Sequence, residues 1–231
     1  MDRLFLTHST RRLDVKKFLL LALLFAGLTL PVSARAQSFG QYTTAEILAV
    51  NTRLTGAYVD ASEKVTGFIA QLRLSFYPNI DFGFQGGLGR VEDNDGDKTA
   101  LRLGADVRYG IAKTSAQFPV DIAAGVCVGV ETTDRHHVLT LGPSAVASRT
   151  FTFSNNTSLA PYAGVMLAFA NYDLPDVTKQ MRSTPDTSVP LRLGAELRAI
   201  PGVRITAEFQ ARLGADYADR TGFAGGVNIP F

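Results

Sequence analysis

The chain has 231 residues, with 23 Lys and Arg against 21 Asp and Glu, one cysteine and no tryptophan. This length fits a single domain, and a net charge of +2 leaves no broad basic surface that would indicate binding to nucleic acid. The lone cysteine, Cys127, excludes an intramolecular disulfide.

The N-terminus carries the pattern of a secretory signal peptide. Basic residues precede an apolar run, and the small residues Ala34 and Ala36 stand before Gln37 as an A-x-A cleavage site. The apolar run is shorter than the ~20 residues that a helix needs to span a bilayer. We therefore predict that residues 1–36 are cleaved and that residues 37–231 form one mature domain. The predicted leader holds six bases and two acids, so the mature domain keeps 17 bases and 19 acids.

The rest of the chain is dominated by period-two alternation of apolar and polar residues, interrupted by turn residues. Most of the alternating segments are about 12–14 residues long, longer than the five or six residues of a usual soluble strand. A tilted strand that crosses a membrane needs about 9–11 residues. The pattern predicts ten strands, with eight as the alternative if the first segment forms a plug or two strands merge. The ten predicted strands span residues 45–60, 64–77, 79–91, 98–111, 118–131, 137–150, 157–170, 188–199, 202–214 and 220–231.

Each predicted strand has one apolar face and one polar face. In the fourth, Leu101, Leu103 and Val107 alternate with Arg102 and Arg108. The polar faces are rich in Arg, Asp, Glu and Gly but poor in Lys, which favours an enclosed space where guanidinium and carboxylate groups pair bidentately. A soluble barrel with its apolar face inward remains the alternative to a membrane barrel with a polar lumen. The inward charged residues of the predicted membrane barrel are Arg73, Asp81, Arg102, Asp106, Arg108, Asp121, Glu131, Arg192, Glu196, Arg198, Arg204, Glu208 and Arg212.

The last predicted strand places Phe223, Val227 and Ile229 on one face and ends on Phe231. An alternating final strand that ends on an aromatic residue resembles the small bacterial outer-membrane β-barrels, such as the transmembrane domain of outer-membrane protein A and its porin-like relatives. In that family the barrel assembly machinery reads the terminal strand and its last aromatic residue. The resemblance implies a closed antiparallel up-and-down barrel in the bacterial outer membrane, in contact with lipid and lipopolysaccharide.

The same resemblance assigns the connections to two sides of the membrane. Short polar turns are expected on the periplasmic side, and the acidic or charged connections are expected outside. The longest extracellular loop is predicted at residues 171–188. Aromatic residues near strand ends, among them Tyr58 and Phe76, are expected to form girdles, and inward glycines such as Gly67 and Gly83 are expected to relieve crowding in the lumen.

These features lead to three functional hypotheses. Because the inward charges nearly cancel and a narrow barrel is filled by its own side chains, we favour a structural or surface-interaction barrel with an ion-paired, largely closed lumen. The first alternative is a narrow porin for ions or small solutes, in which the same charges line the pore. An extracellular partner is not identified by any motif.

The second alternative is an enzyme at the outer rim, either a protease or a lipid-modifying enzyme. His136 and His137 follow acidic residues in a predicted extracellular loop, and a histidine there could act as a base. No serine nucleophile has matching spacing, and neighbouring residues on a strand point to opposite faces. We therefore interpret the pair as part of a solvated loop and predict no catalytic residue, metal ligand or cofactor.

Overall fold

The computed structural model describes residues 42–62, 64–92, 96–134, 136–153, 157–175, 181–214 and 220–231. The predicted signal peptide, with Ala34, Ala36 and Gln37 at its cleavage site, lies outside these ranges. Among the described residues, no helix is long and apolar enough to cross a membrane. The strands are β1 (Arg53–Ser62), β2 (Val65–Tyr77), β3 (Ile80–Val91), β4 (Lys98–Ala112), β5 (Asp121–Thr132), β6 (His137–Ser148), β7 (Phe151–Thr152), β8 (Ser158–Met166), β9 (Ala168–Pro175), β10 (Met181–Ile200), β11 (Val203–Leu213) and β12 (Thr221–Pro230).

These strands close into one antiparallel barrel. From β1 to β6 each strand pairs with the next, and β10, β11, β12 and β1 complete the circle. β8 and β9 share one wall position because both pair with β6 on one side and with β10 on the other. β7 is a two-residue extension that pairs with β8. The wall thus has ten positions, which confirms the predicted all-β ten-stranded barrel over the eight-stranded alternative.

The two faces of the wall have opposite chemistry. Large apolar side chains such as Phe68 and Leu103 are about half exposed on the outside, at 53% and 50%. Charged side chains such as Arg73 and Asp81 are fully buried on the inside. A soluble protein does the reverse, since charged residues are rarely buried and large apolar patches are rarely exposed. An apolar band outside a polar lumen is the pattern of a transmembrane β-barrel.

Both ends of the wall meet at the same end of the barrel, which we call the terminal end. There the backbone N–H groups of Arg53 and Phe231 each donate to the other residue's carbonyl oxygen at 3.0 Å. The outward face of β12 carries Phe223, Val227 and Ile229. The opposite end, where the β9–β10 hairpin lies, is called the far end.

The first predicted strand is wrong in its bounds. β1 begins at Arg53, and residues 42–52 turn into the lumen as what we call the inner segment. The direction changes at Asn51, whose φ of 64° lies in the left-handed region that asparagine tolerates better than most residues. Its N–H donates to the carbonyl oxygen of Ser75 at 2.8 Å, which fastens the turn to the end of β2.

The predicted long loop at residues 171–188 is also wrong, because most of it is paired backbone. β9 and β10 pair from Ala168 opposite Ser188 to Pro175 opposite Met181. Prolines such as Pro185 lack a backbone donor and so suggest a break in a strand. Here Pro185 lies beyond the last described β11 pair on β10, at Val189, and is paired with Asn171 of β9.

Candidate functional site: the lumen

The half of the lumen near the terminal end holds a compact ion-pair network. Arg73 of β2 pairs with both Asp81 of β3 and Asp106 of β4. Arg108 of β4 binds Asp81 with two nitrogens, Nε at 2.9 Å and Nη2 at 2.8 Å. The side chains of Arg73, Asp81 and Arg108 are at most 1% exposed. The bidentate pairing of Arg108 with Asp81 and the two ion pairs of Arg73 offset part of the large cost of removing these charges from water.

One glycine makes this network possible. Gly83 of β3 is paired with Arg73 of β2 on one side and with Asp106 of β4 on the other. A Cβ atom on Gly83 would collide with the guanidinium of Arg73 and the carboxylate of Asp106. The ion pair therefore passes directly over the backbone of β3, and the predicted role for an inward glycine has a concrete geometry at this position.

The inner segment is tied to the wall by polar contacts. Arg108 Nη1 donates to the carbonyl oxygen of Thr44 at 2.8 Å and to the hydroxyl of Thr43 at 3.0 Å. The N–H of Ala45 donates to the hydroxyl of Ser148 on β6 at 3.0 Å. Since Tyr42, Thr43, Thr44 and Ala45 are at most 4% exposed, this part of the segment is buried in the lumen.

An aromatic stack anchors the deep end of the inner segment. The rings of Tyr42 and Tyr58 lie 4.4 Å apart between centroids, and Asn228 Nδ2 donates to the carbonyl oxygen of Tyr42 at 3.3 Å. Burial raises the pKa of the Tyr42 hydroxyl, so this group stays protonated. The prediction that Tyr58 belongs to an aromatic girdle is wrong, because its side chain faces the lumen and is 1% exposed.

A second network occupies the half of the lumen near the far end. Arg102 of β4 pairs with Asp60 of β1 and, through Nε, with Glu131 of β5 at 3.3 Å. Its side chain reaches Asp60 across the backbone of two intervening strands at Gly67 and Gly89. The sequence prediction missed Asp60 at the end of the first predicted strand, although its spacing from Tyr58 gives both side chains the same parity.

β10 and β11 carry the remaining charged groups. Glu196 pairs with Arg198 at 2.8 Å and with Arg204 at 3.5 Å, and Arg198 also reaches Glu46 of the inner segment. Farther along, the hydroxyl of Tyr162 donates to Glu208 at 2.8 Å. The contact between Arg198 and Glu46 links the inner segment to the wall near the terminal end.

The structure places the predicted inward residues in three groups. Arg73, Asp81, Asp106 and Arg108 form the first network, and the other groups are Arg102 with Glu131 and the charged residues of β10 and β11. Asp121 lies apart from them, half-buried at the terminal end, where it accepts a hydrogen bond from the N–H of Thr114 at 2.8 Å. The charged residues of β10 and β11 are Arg192, Glu196, Arg198, Arg204, Glu208 and Arg212.

The histidine pair lies at the far end. His136 contacts the hydroxyl of Thr133 through Nδ1 at 3.0 Å and Glu131 through Nε2 at 3.5 Å. The Thr133 hydroxyl also accepts the backbone N–H of His136 at 3.0 Å, so it stabilises the turn between β5 and β6. His137 is exposed and contacts Thr132. Among the described residues, no group of three or more His, Cys, Asp and Glu side chains could hold a metal ion.

Known proteins resemble the chain only distantly. No protein-family model matches it, and no curated protein matches it. Among solved structures, a bacterial polysaccharide outer membrane secretin is 12% identical with a TM-score of 0.44, and the alignment covers 78% of this chain. The chain spans 64% of the length of that secretin.

Two further solved structures resemble the chain at similarly low sequence identity. LpxR from Salmonella typhimurium is 10% identical with a TM-score of 0.44, and the alignment covers 80% of this chain and 85% of LpxR. The N-terminal β-barrel domain of Pseudomonas aeruginosa OprF is 9% identical with a TM-score of 0.34. The alignment covers 79% of this chain and 98% of the OprF domain. Function is therefore inferred from the residues of this chain.

Proposed function

We propose that this chain is a bacterial outer-membrane β-barrel with a structural or surface-interaction role and an ion-paired, largely closed lumen. The observation that carries the proposal is the burial of the lumen charges, since Arg73, Arg102, Arg108, Glu131 and Glu196 are each at most 1% exposed. The lining of a water-filled pore would be hydrated. Here the lining side chains are removed from solvent.

The inner segment supports closure at the terminal end. It fills the lumen beside the first ion-pair network and binds Arg108, Ser148 and Arg198 on three different strands. Moving the segment aside would expose these groups and remove some of their partners. A typical hydrogen bond contributes about 0.5–1.5 kcal/mol, and about 1.5–3 kcal/mol where one group is charged, so the lumen filled by the segment is the low-energy state.

The proposed orientation places the terminal end in the periplasm and the far end outside the cell. At the far end the β9–β10 hairpin extends past the last β11 pair, at Val189, and past the last β6 pair, at Asp173. This edge is the part of the described wall that an external partner could reach most readily. Contacts of the outer wall with lipid and lipopolysaccharide, and of β12 with the assembly machinery, belong to the same proposal, as does the absence of enzymatic activity.

Conductance in planar lipid bilayers tests closure. We expect the folded protein to give no stable single-channel steps. A variant in which residues 43–48 are replaced by a Gly-Ser segment of equal length should give steps, because the lumen loses its filling near the terminal end. Electrophoresis of unboiled and boiled samples checks that both proteins are folded barrels. Regular steps of fixed size from the unaltered protein would instead support the narrow porin.

A further inference from the structure

Arg192 differs from the other arginines in the lumen. It lies on β10 opposite Gly164 of β8 and Gln210 of β11, and it is 5% exposed. Among the described residues, none accepts a hydrogen bond from its guanidinium or places a carboxylate within ion-pair distance of it. Five other lumen arginines have at least one carboxylate partner, namely Arg73, Arg102, Arg108, Arg198 and Arg204.

The neighbouring carboxylate is already engaged with neutral donors. Glu208 lies one lumen position from Gln210 on β11, and its two oxygens accept hydrogen bonds from the Tyr162 hydroxyl at 2.8 Å and from the Gln210 amide. Glu208 therefore lowers the local positive potential without forming an ion pair with Arg192. The five N–H donors of the guanidinium remain without a protein acceptor in the described wall.

The Arg192 guanidinium lies close to the backbone of β8. It lies over Gly164, where a Cβ atom would be 3.3 Å from Nη2 and 3.4 Å from Nε. Cys127, Met166 and Ala168 form an apolar cluster on the neighbouring strands, in the half of the lumen near the far end. Arg212 lies opposite Pro190, one lumen position farther along, and bonds the hydroxyl of Tyr172. An arginine guanidinium without a carboxylate partner is suited to an anion.

We propose that Arg192 is the receptor of an internal anion site that binds one small oxyanion of the carboxylate or phosphate class. The planar guanidinium presents paired N–H donors that match two oxygens of such an anion. A bound anion would neutralise a cation that has no carboxylate partner among the described residues. Since the inner segment fills the lumen near the terminal end, the anion enters from the far end.

Calorimetric titration of the folded protein in detergent micelles tests the site directly. Inorganic phosphate and acetate are titrated separately at constant ionic strength. We expect saturable binding of one anion per chain, and Arg192→Met should weaken it about ten-fold or more, because one charge-assisted contact is lost. Arg90→Met is the matched control, since Arg90 is exposed on the outer wall and its loss should leave binding unchanged. Binding of only one of the two anions identifies which class the site prefers.

Thermal unfolding in a buffer with little anion provides an independent readout. If Arg192 has no partner, Arg192→Met should unfold at the same temperature as the unaltered protein or a higher one. Arg73→Met should unfold at a lower temperature, because it leaves Asp81 and Asp106 without a shared partner. A fall in unfolding temperature or a loss of folding in Arg192→Met would overturn the proposal, as would unsaturable titrations or unchanged binding in that variant. Neither measurement depends on channel conductance, so the anion site is tested separately from closure of the lumen.

Discussion

At the scale of single residues, the polar contacts of the lumen depend on inward glycines as much as on the charged side chains. Arg73 and Asp106 lie two strands apart and meet only because Gly83 between them has no side chain. The same arrangement recurs at Gly194, where the ring of Tyr162 lies across β10 to reach Glu208. Inward glycines thus set which polar partners can meet across a strand.

Gly83→Val should destabilise the barrel by about 3–5 kcal/mol, the cost of breaking a buried ion pair. The new side chain would separate Arg73 from Asp106. Gly86→Val on the same strand is the matched control, because a Cβ atom there meets only Leu103 Cδ2 at 3.6 Å. Urea unfolding in detergent measures both free energies. Equal unfolding free energies in the two variants would contradict the role given to Gly83.

The sequence could predict most residues of the lumen but not how they pair. Parity along each strand predicted Arg73, Arg102 and Arg108 as inward, and the structure places them there. The contact of Arg102 with Asp60 on β1 depends on the registers of three strand pairs, which no local pattern contains. Tyr58 was assigned outward because an aromatic residue fits either face, and only its stacking on Tyr42 decides the matter.

At the scale of elements, alternation predicted the regular wall and failed where a segment leaves it. The first predicted strand begins at residue 45, yet the turn at Asn51 directs the residues before it into the lumen. Their burial rests on contacts with Arg108 and Ser148, which are distant in sequence. The β9–β10 hairpin was missed for the opposite reason, since prolines and a long polar stretch obscure paired backbone.

Labelling of single cysteines tests the proposed orientation of these elements. Ser183→Cys in the hairpin is exposed at the far end, and Gln117→Cys is exposed at the terminal end. In intact cells, a membrane-impermeant maleimide should label Ser183→Cys, and it should label Gln117→Cys only after the outer membrane is permeabilised. The native Cys127 is 3% exposed in the lumen and serves as the internal control, because it should stay unlabelled in the folded protein. The reverse labelling pattern would contradict the proposed orientation and place the far end in the periplasm.

At the scale of the whole molecule, the chain is an inside-out protein, with apolar side chains outside and charged side chains within. This inversion follows from the solvent, because hydrocarbon favours apolar surface and a closed barrel satisfies every backbone group of the wall. The fold class was predictable from the sequence since the two faces of each strand differ consistently. The closure of the wall between β12 and β1 was implied by the resemblance and is observed in the pairing.

A charge placed on the outer wall should cost more near the middle of the membrane than at its edge. Leu103→Arg lies near the middle of β4 and should destabilise the barrel by about 2–4 kcal/mol in lipid bilayers. Thr99→Arg lies near the far end of the same strand, on the same outward face, and should cost about 0–1 kcal/mol. Unfolding by denaturant in vesicles compares the two. A cost that does not depend on depth would argue against a membrane-facing wall.

The most direct test of the account is the contact between methyl groups and lipid. In nanodiscs, NMR cross-peaks to acyl chains should appear for Leu103, Val128 and Leu193, whose side chains are 39–59% exposed on the outer wall. Ile69, Val138 and Val146 face the lumen at 2–4% exposure and should show no such cross-peaks. Acyl-chain contacts at the second set of methyl groups and not at the first would contradict the inverted barrel.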